Sequence, residues 1–150
     1  MRQAIEMAVE NVRSGRGGPF AAIIVKEGRM IASGTNRVTA SNDPTAHAEV
    51  VAIRRACAGL GSFQLEDCEL YATCEPCPMC LGAIYWSRLT RVFYGATAAD
   101  AAEAGFEDAF IYEQLALPGE RRSIPLVSLL REEALACFRE WLAKPDRMPY

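Results

Sequence analysis

The chain has 150 residues and a formal net charge of −3, with an isoelectric point near 5.3. At this length one ordinary core buries about 68–70% of the unfolded surface, which leaves no room for a second sizeable core and no need for disulfide staples. A composition of 51% hydrophobic and 23% charged residues excludes a disordered chain, and no apolar run approaches the ~20 residues of a membrane span.

The elements are read in chain order. Residues 1–14 place Ile5, Ala8, Val9 and Val12 at helical spacing, which predicts an amphipathic helix ended by Gly15 to Pro19. Phe20 to Val25 and Arg29 to Ser33 read as two antiparallel strands around a tight Glu27-Gly28 turn. Gly34 to Asn42 is polar and loop-like. Asp43-Pro44 offers a capping carboxylate and a first-turn proline, so a helix is expected from there to about Cys57. Glu69 to Cys74 reads as a strand, Pro76 or Pro78 opens a helix to about Ser87, and Arg91 to Ala96 is a strand. The stretch Asp100 to Leu117 is partly helical with a break at Gly105. Ile124 to Leu129 is expected to be the fifth strand. A closing helix over 131–142 sets Leu135, Phe138, Trp141 and Leu142 on one face, and the tail from Lys144 to Tyr150 has no apolar period. Strands alternating with helices predict an α/β sandwich around one mixed sheet.

Chemistry concentrates at two helix beginnings. His47 lies in Thr45-Ala46-His47-Ala48-Glu49, and Cys77 and Cys80 lie in Pro76-Cys77-Pro78-Met79-Cys80. Cysteines at i and i+3 of a first turn share a face, and the positive helix end there favours thiolates. One imidazole and two thiolates suit tetrahedral zinc with a vertex open for water, whose pKa the metal brings to about 7. That water still needs a proton acceptor that is not a ligand, and Glu49 is the candidate. Residues i and i+2 of a regular helix point roughly 200° apart, so the pair needs a particular first-turn geometry. His-x-Glu followed by Pro-Cys-x-x-Cys is the signature of zinc-dependent base deaminases. Two alternatives stand beside it. Cys74, three residues before Cys77, could complete a closed structural Cys3His site without catalysis, and Cys77 with Cys80 could form a redox pair.

The runs Asn42-Asp43-Pro44-Thr45-Ala46-His47-Ala48-Glu49 and Cys74-Glu75-Pro76-Cys77-Pro78-Met79-Cys80-Leu81-Gly82-Ala83-Ile84-Tyr85-Trp86 resemble the cytidine and deoxycytidylate deaminase superfamily. Within it the sequence is most similar to bacterial guanine deaminases, through Gly17-Gly18-Pro19-Phe20, the segment Ala101 to Asp108 and the terminal Tyr150. The resemblance implies a three-layer α/β/α sandwich with a central mixed five-stranded sheet, occupied by one zinc deaminase domain over 1–150. It implies one Zn²⁺ per subunit, held by His47, Cys77 and Cys80, with Glu49 as the catalytic proton shuttle. Guanine would be hydrolysed at C2 to xanthine and ammonia.

The implied substrate contacts are Asn36 at the purine edge, the Ala48 backbone N–H at a ring carbonyl, and Phe20 and His47 on the two ring faces. Trp86 would line the pocket, Asp108 would contact the purine, and Tyr150 would close the pocket of a partner subunit. A homodimer exchanging its C-terminal segment, with 144–150 as the exchanged tail, is the expected assembly. Rival substrates within the superfamily are transfer-RNA adenosine, guanosine, cytosine and ammeline. The acidic isoelectric point argues against a nucleic-acid partner, and the basic pairs Arg54–Arg55 and Arg121–Arg122 both have acidic neighbours. Without an apolar stretch in MRQAIEMAVENVR, a cytoplasmic protein with no membrane partner is expected.

Overall fold

The structure is a computed structural model that describes residues 1–149. Two compact units follow one another along the chain, Met1–Asp108 and Ala109 to the C-terminal end.

In the first unit, α1 (Arg2–Arg13) precedes the hairpin β1 (Ala21–Lys26) and β2 (Arg29–Thr35). Glu27 and Gly28 both have positive φ, as a two-residue hairpin turn requires. A short α2 (Val38–Ser41) occupies the expected loop, followed by α3 (Ala48–Leu60), β3 (Cys68–Cys74), α4 (Pro78–Trp86), β4 (Arg91–Ala96) and α5 (Ala98–Glu103). The sheet order is β2-β1-β3-β4. β1 is antiparallel to β2 and β3, whereas β3 and β4 are parallel, so the sheet is mixed as expected.

Side chains alternate across the strands. Ala22 and Ile24 of β1, with Leu70 and Ala72 of β3, share a buried core with Ala48, Ala52, Ile53 and Ala56 of α3 and Ile84 of α4. Their neighbours Ala21 and Ile23 are also buried, on the face covered by α1. Helices thus lie on both faces of the sheet. Gly34 lets α3 approach β2 closely, because a Cβ there would collide with the Ala48 carbonyl oxygen and come within 2.7 Å of the Ala52 nitrogen.

Several expectations are corrected here. The sheet of the described residues has four strands, not five. Ile124 to Leu129 forms no strand and its apolar side chains are exposed; Pro125 has no N–H for a ladder, and no strand edge pairs with the segment. The helix expected from Asp43-Pro44 begins at Ala48, because the Asp43 carboxylate is held locally by the Thr45 N–H and hydroxyl at 2.8 and 2.7 Å. On α1 the buried line is Ala4, Ala8 and Asn11, while Ile5, Val9 and Val12 are exposed. Small residues let the helix lie close to the sheet, and the burial of Asn11 is offset by two hydrogen bonds that its Nδ2 donates. Tyr85, Tyr94 and Tyr112 are exposed as well.

In the second unit, α6 (Ala109–Ala116) leads through a 3-10 turn (Gly119–Arg121) to the extended 124–129 segment and α7 (Arg131–Ala143). The Leu126 N–H donates to the Gly119 carbonyl at 3.0 Å. Phe138 and Leu142 of α7 are exposed, in contrast to the expected packed face. Among the described residues no helix is long and apolar enough to cross a membrane.

Candidate metal centre and base pocket

His47 and Cys77 occupy equivalent places. Each is the residue just before a helix, in extended backbone, with φ/ψ of −68°/154° and −65°/168°, and neither caps its helix with its side chain. Pro78 at the first position of α4 suits the fixed φ of a helix start and lacks the N–H that would go unpaired. His47 Nδ1 lies 3.5 Å from Cys77 Sγ and 3.6 Å from Cys80 Sγ. Among the described residues these three side chains form the group able to hold a metal ion, their ligand atoms all within 4.8 Å of one another.

The donor set passes a direct fit test. Zinc bonds of about 2.3 Å to sulfur and 2.05 Å to nitrogen, at a tetrahedral angle, separate the two donors by about 3.6 Å. That matches both nitrogen–sulfur distances. The charge state is also suitable. Hydrogen bonds from Cys80 and from His47 bring the Cys77 thiol down to about 4, against the opposing effect of burial. His47 is raised, chiefly by its hydrogen bond with Cys77. Cys80 is pushed up, first by its hydrogen bond to Cys77 and then by burial. Without metal the site therefore keeps one thiolate and one thiol in contact, an arrangement suited to a cation that displaces the remaining proton.

Glu49 is 8% exposed. Burial raises its pKa, the neighbouring Cys77 thiolate adds to the effect, and Cys80 is a hydrogen-bond partner. Because His47 stands before the helix in extended backbone, the 200° separation of a regular helical i, i+2 pair does not apply. The imidazole and carboxylate both belong to the electrostatic surroundings of Cys77. Cys74 stands apart from the metal group. Its Sγ donates to the Thr97 carbonyl at 3.5 Å, and burial raises its pKa. The three-cysteine structural alternative therefore lacks its fourth ligand.

The residues expected around the base are placed unequally. Asn36 is buried directly after β2; its N–H donates to the Phe20 carbonyl at 3.0 Å, and its Oδ1 accepts from the Val38 N–H at 3.3 Å. Ala48 is buried at the first position of α3, where backbone N–H groups have no intrahelical partner. Phe20 is half-buried before β1. Asp108 is half-buried, and its pKa is raised by burial and by the Cys77 thiolate, which brings it into the electrostatic neighbourhood of the metal group. Trp86 ends α4 and is 66% exposed. Tyr150 lies outside the described residues.

Phe106 was not singled out by sequence reasoning. Its ring stands edge-on to Phe20, centroids 4.9 Å apart at 85°. No local pattern announces this contact, since the two rings are 86 positions apart. Glu75 was missed as well; its Oε2 accepts the Ala98 N–H at 3.0 Å and joins the loop before Cys77 to the start of α5.

The model of the cytidine and deoxycytidylate deaminase zinc-binding region matches residues 1–96. The chain belongs to that family. It is 57% identical over 150 residues to the guanine deaminase of Bacillus subtilis, covering 100% of this chain and 96% of that protein. The X-ray structure of a Bacillus subtilis guanine deaminase superposes with a TM-score of 0.97 at 55% identity, over 99% of this chain and 95% of that one. The tRNA-specific adenosine deaminase of Agrobacterium fabrum is 49% identical over 78 residues, 52% of this chain and 51% of that protein. The two likenesses differ in extent: the first spans both units of the chain, the second about half of it.

Proposed function

We propose that this deaminase hydrolyses guanine to xanthine and ammonia. The observation that carries the reading is the full-length likeness to a guanine deaminase, at a TM-score of 0.97. The zinc motifs are common to the family, whereas the substrate is chosen by the pocket around them, so similarity extending beyond residue 96 bears on the substrate. His47, Cys77 and Cys80 hold one zinc per subunit. When bound, zinc supplies a water molecule acidified to a pKa of about 7 and polarised for attack.

The remaining work falls to the chain's own residues. Asn36 presents one amide donor and one acceptor, a complement to a purine edge. The Ala48 N–H donates to the ring carbonyl. Phe20 and His47 enclose the ring, and Trp86 lines its border. Glu49, shielded from solvent, would take one proton from the attacking water and pass it to the ring nitrogen, then take the second from the hydroxyl that the attack leaves on C2 and pass it to the departing amine, so that both water protons are accounted for as ammonia leaves. Its raised pKa suits a group that must first accept and then donate. Asp108 contacts the purine from the loop after α5.

The assembly proposed is a homodimer that exchanges its C-terminal segment, including 144–150, with Tyr150 closing the partner's pocket. The exposed apolar segment Ile124 to Leu129 and the exposed Phe138 and Leu142 of α7 support it. So does β4, which among the described residues pairs with β3 alone. The place of action proposed is the cytoplasm, in purine metabolism.

Ammonia release by the zinc-loaded protein, measured in parallel on guanine, guanosine, cytosine, adenine, ammeline and transfer RNA, tests the reading. Turnover of guanine far above the other five is expected. Preference for another substrate overturns the pocket assignment, and silence on all six overturns the function.

A further inference from the structure

Asn11 lies outside every deaminase motif, yet it is 2% exposed on the buried line of α1. A buried amide is costly unless its hydrogen bonds are made. Here Nδ2 donates twice, to the Gly18 carbonyl and to the Asn36 carbonyl, each at 2.9 Å. Those carbonyls belong to the two segments that carry Phe20 and Asn36. The segments are joined directly by one hydrogen bond, from the Asn36 N–H to the Phe20 carbonyl. They also touch with no slack: a Cβ on Gly17 would collide with the Asn36 carbonyl oxygen and stand 3.1 Å from Asn11 Nδ2.

We infer that Asn11 is a positioning residue for base recognition: its amide clamps the Gly17–Phe20 segment to Asn36 and thereby sets the spacing between the Phe20 ring and the Asn36 amide. The inference rests on the proposed roles of Phe20 and Asn36. Removing the amide takes the Nδ2 donor from the buried Asn36 carbonyl and leaves the half-buried Gly18 carbonyl with the Phe20 N–H alone, and the nearest relief is for the two segments to part. His47, Glu49, Cys77 and Cys80 lie at the starts of α3 and α4, across the sheet from α1, so the chemistry of the metal centre is preserved while the pocket loosens.

The test uses full-length, zinc-loaded Asn11→Ala and Asn11→Ser, the second retaining one shorter donor. Asn11→Ala is expected to raise KM for guanine about tenfold, with kcat within about twofold and zinc stoichiometry unchanged. Asn11→Ser should fall between Asn11→Ala and the parent. In an Asn36→Ala background the further change in KM should be below about twofold, since the clamp then has no amide to position. An unchanged KM overturns the inference, as does full additivity with Asn36→Ala or a kcat that falls in step with lost zinc.

A second readout separates the clamp from the choice of substrate. In 15N-labelled Asn11→Ser, and in Asn11→Ala where it folds, the Asn36 backbone N–H should exchange with solvent at least about tenfold faster, because its bond to the Phe20 carbonyl opens. Unchanged exchange overturns the clamp. Faster exchange in a series whose parent is silent on guanine supports the clamp and overturns only the proposed substrate.

Discussion

Replacing Glu49 by glutamine separates proton transfer from every other contribution of that position. The side chain is 8% exposed, and glutamine has the same heavy-atom shape, so no cavity forms and the α3 core against Ala52 and Ile53 stays filled. Glu49 is not among the three metal-holding side chains, so zinc content should stay at the parent's value. What is lost is a group that takes and gives protons within one turnover. A positioned acid–base group is worth about 10² to 10⁴ in rate, or about 3–5 kcal/mol of barrier. The expected result is a kcat on guanine reduced at least about 100-fold, with thermal midpoint and zinc stoichiometry preserved. Ammonia release, metal analysis and a melting curve on the same preparation measure all three. A folded variant with full zinc and a kcat within about tenfold of the parent would refute the proton-shuttle role. Loss of zinc would show that Glu49 belongs to the coordination sphere.

Three other outcomes are expected. With zinc stripped by a chelator, Cys77 should react with iodoacetamide at pH 6 in a Cys137→Ser background, because its thiol is brought down to about 4; Cys57, Cys68 and Cys74, all pushed up chiefly by burial, should stay unmodified. Restored zinc should protect Cys77, and mass mapping of the modified site decides. Asp100 and Thr97 form a capping box at the start of α5, and hydrogen bonds from the Thr97 N–H and hydroxyl lower the Asp100 pKa. The stabilisation is thus present above the unfolded value of 3.8 and lost as pH falls through the lower folded value. Asp100→Asn should therefore melt below the parent at pH 7, and the gap should close under acid; a gap independent of pH would contradict this origin. If Tyr150 has the role proposed for it, deleting it should abolish deamination while zinc content and melting are kept, and full activity in a verified deletion would overturn that proposal.

Much of the metal centre was legible because its determinants are local. His47, Cys77 and Cys80 each sit at or next to a helix start, and Pro78 marks one start in the sequence itself. The β1–β2 turn, β4 and the break near Gly105 were likewise written in short-range chemistry. The start of α3 was misread because Asp43 spends its carboxylate on Thr45, two residues away, and not on a helix N-terminus. Phe106 and Asn11 escaped notice because their partners, Phe20 for one and the Gly18 and Asn36 carbonyls for the other, are set by the fold and not by spacing.

The sequence by itself determined the ligand types, the carboxylate beside them and the alternation of strands and helices, since each depends on residue chemistry within a turn or two. Only the tertiary structure decided that Cys74 turns to Thr97 instead of the metal group. It also decided that α1 buries Ala4, Ala8 and Asn11 in place of its larger apolar residues, and that Ile124 to Leu129 stays outside the sheet. The physical reason is common to all three. Apolar pattern and ligand type say that a side chain needs a partner, but which partner it meets depends on how closely helices and strands can approach one another.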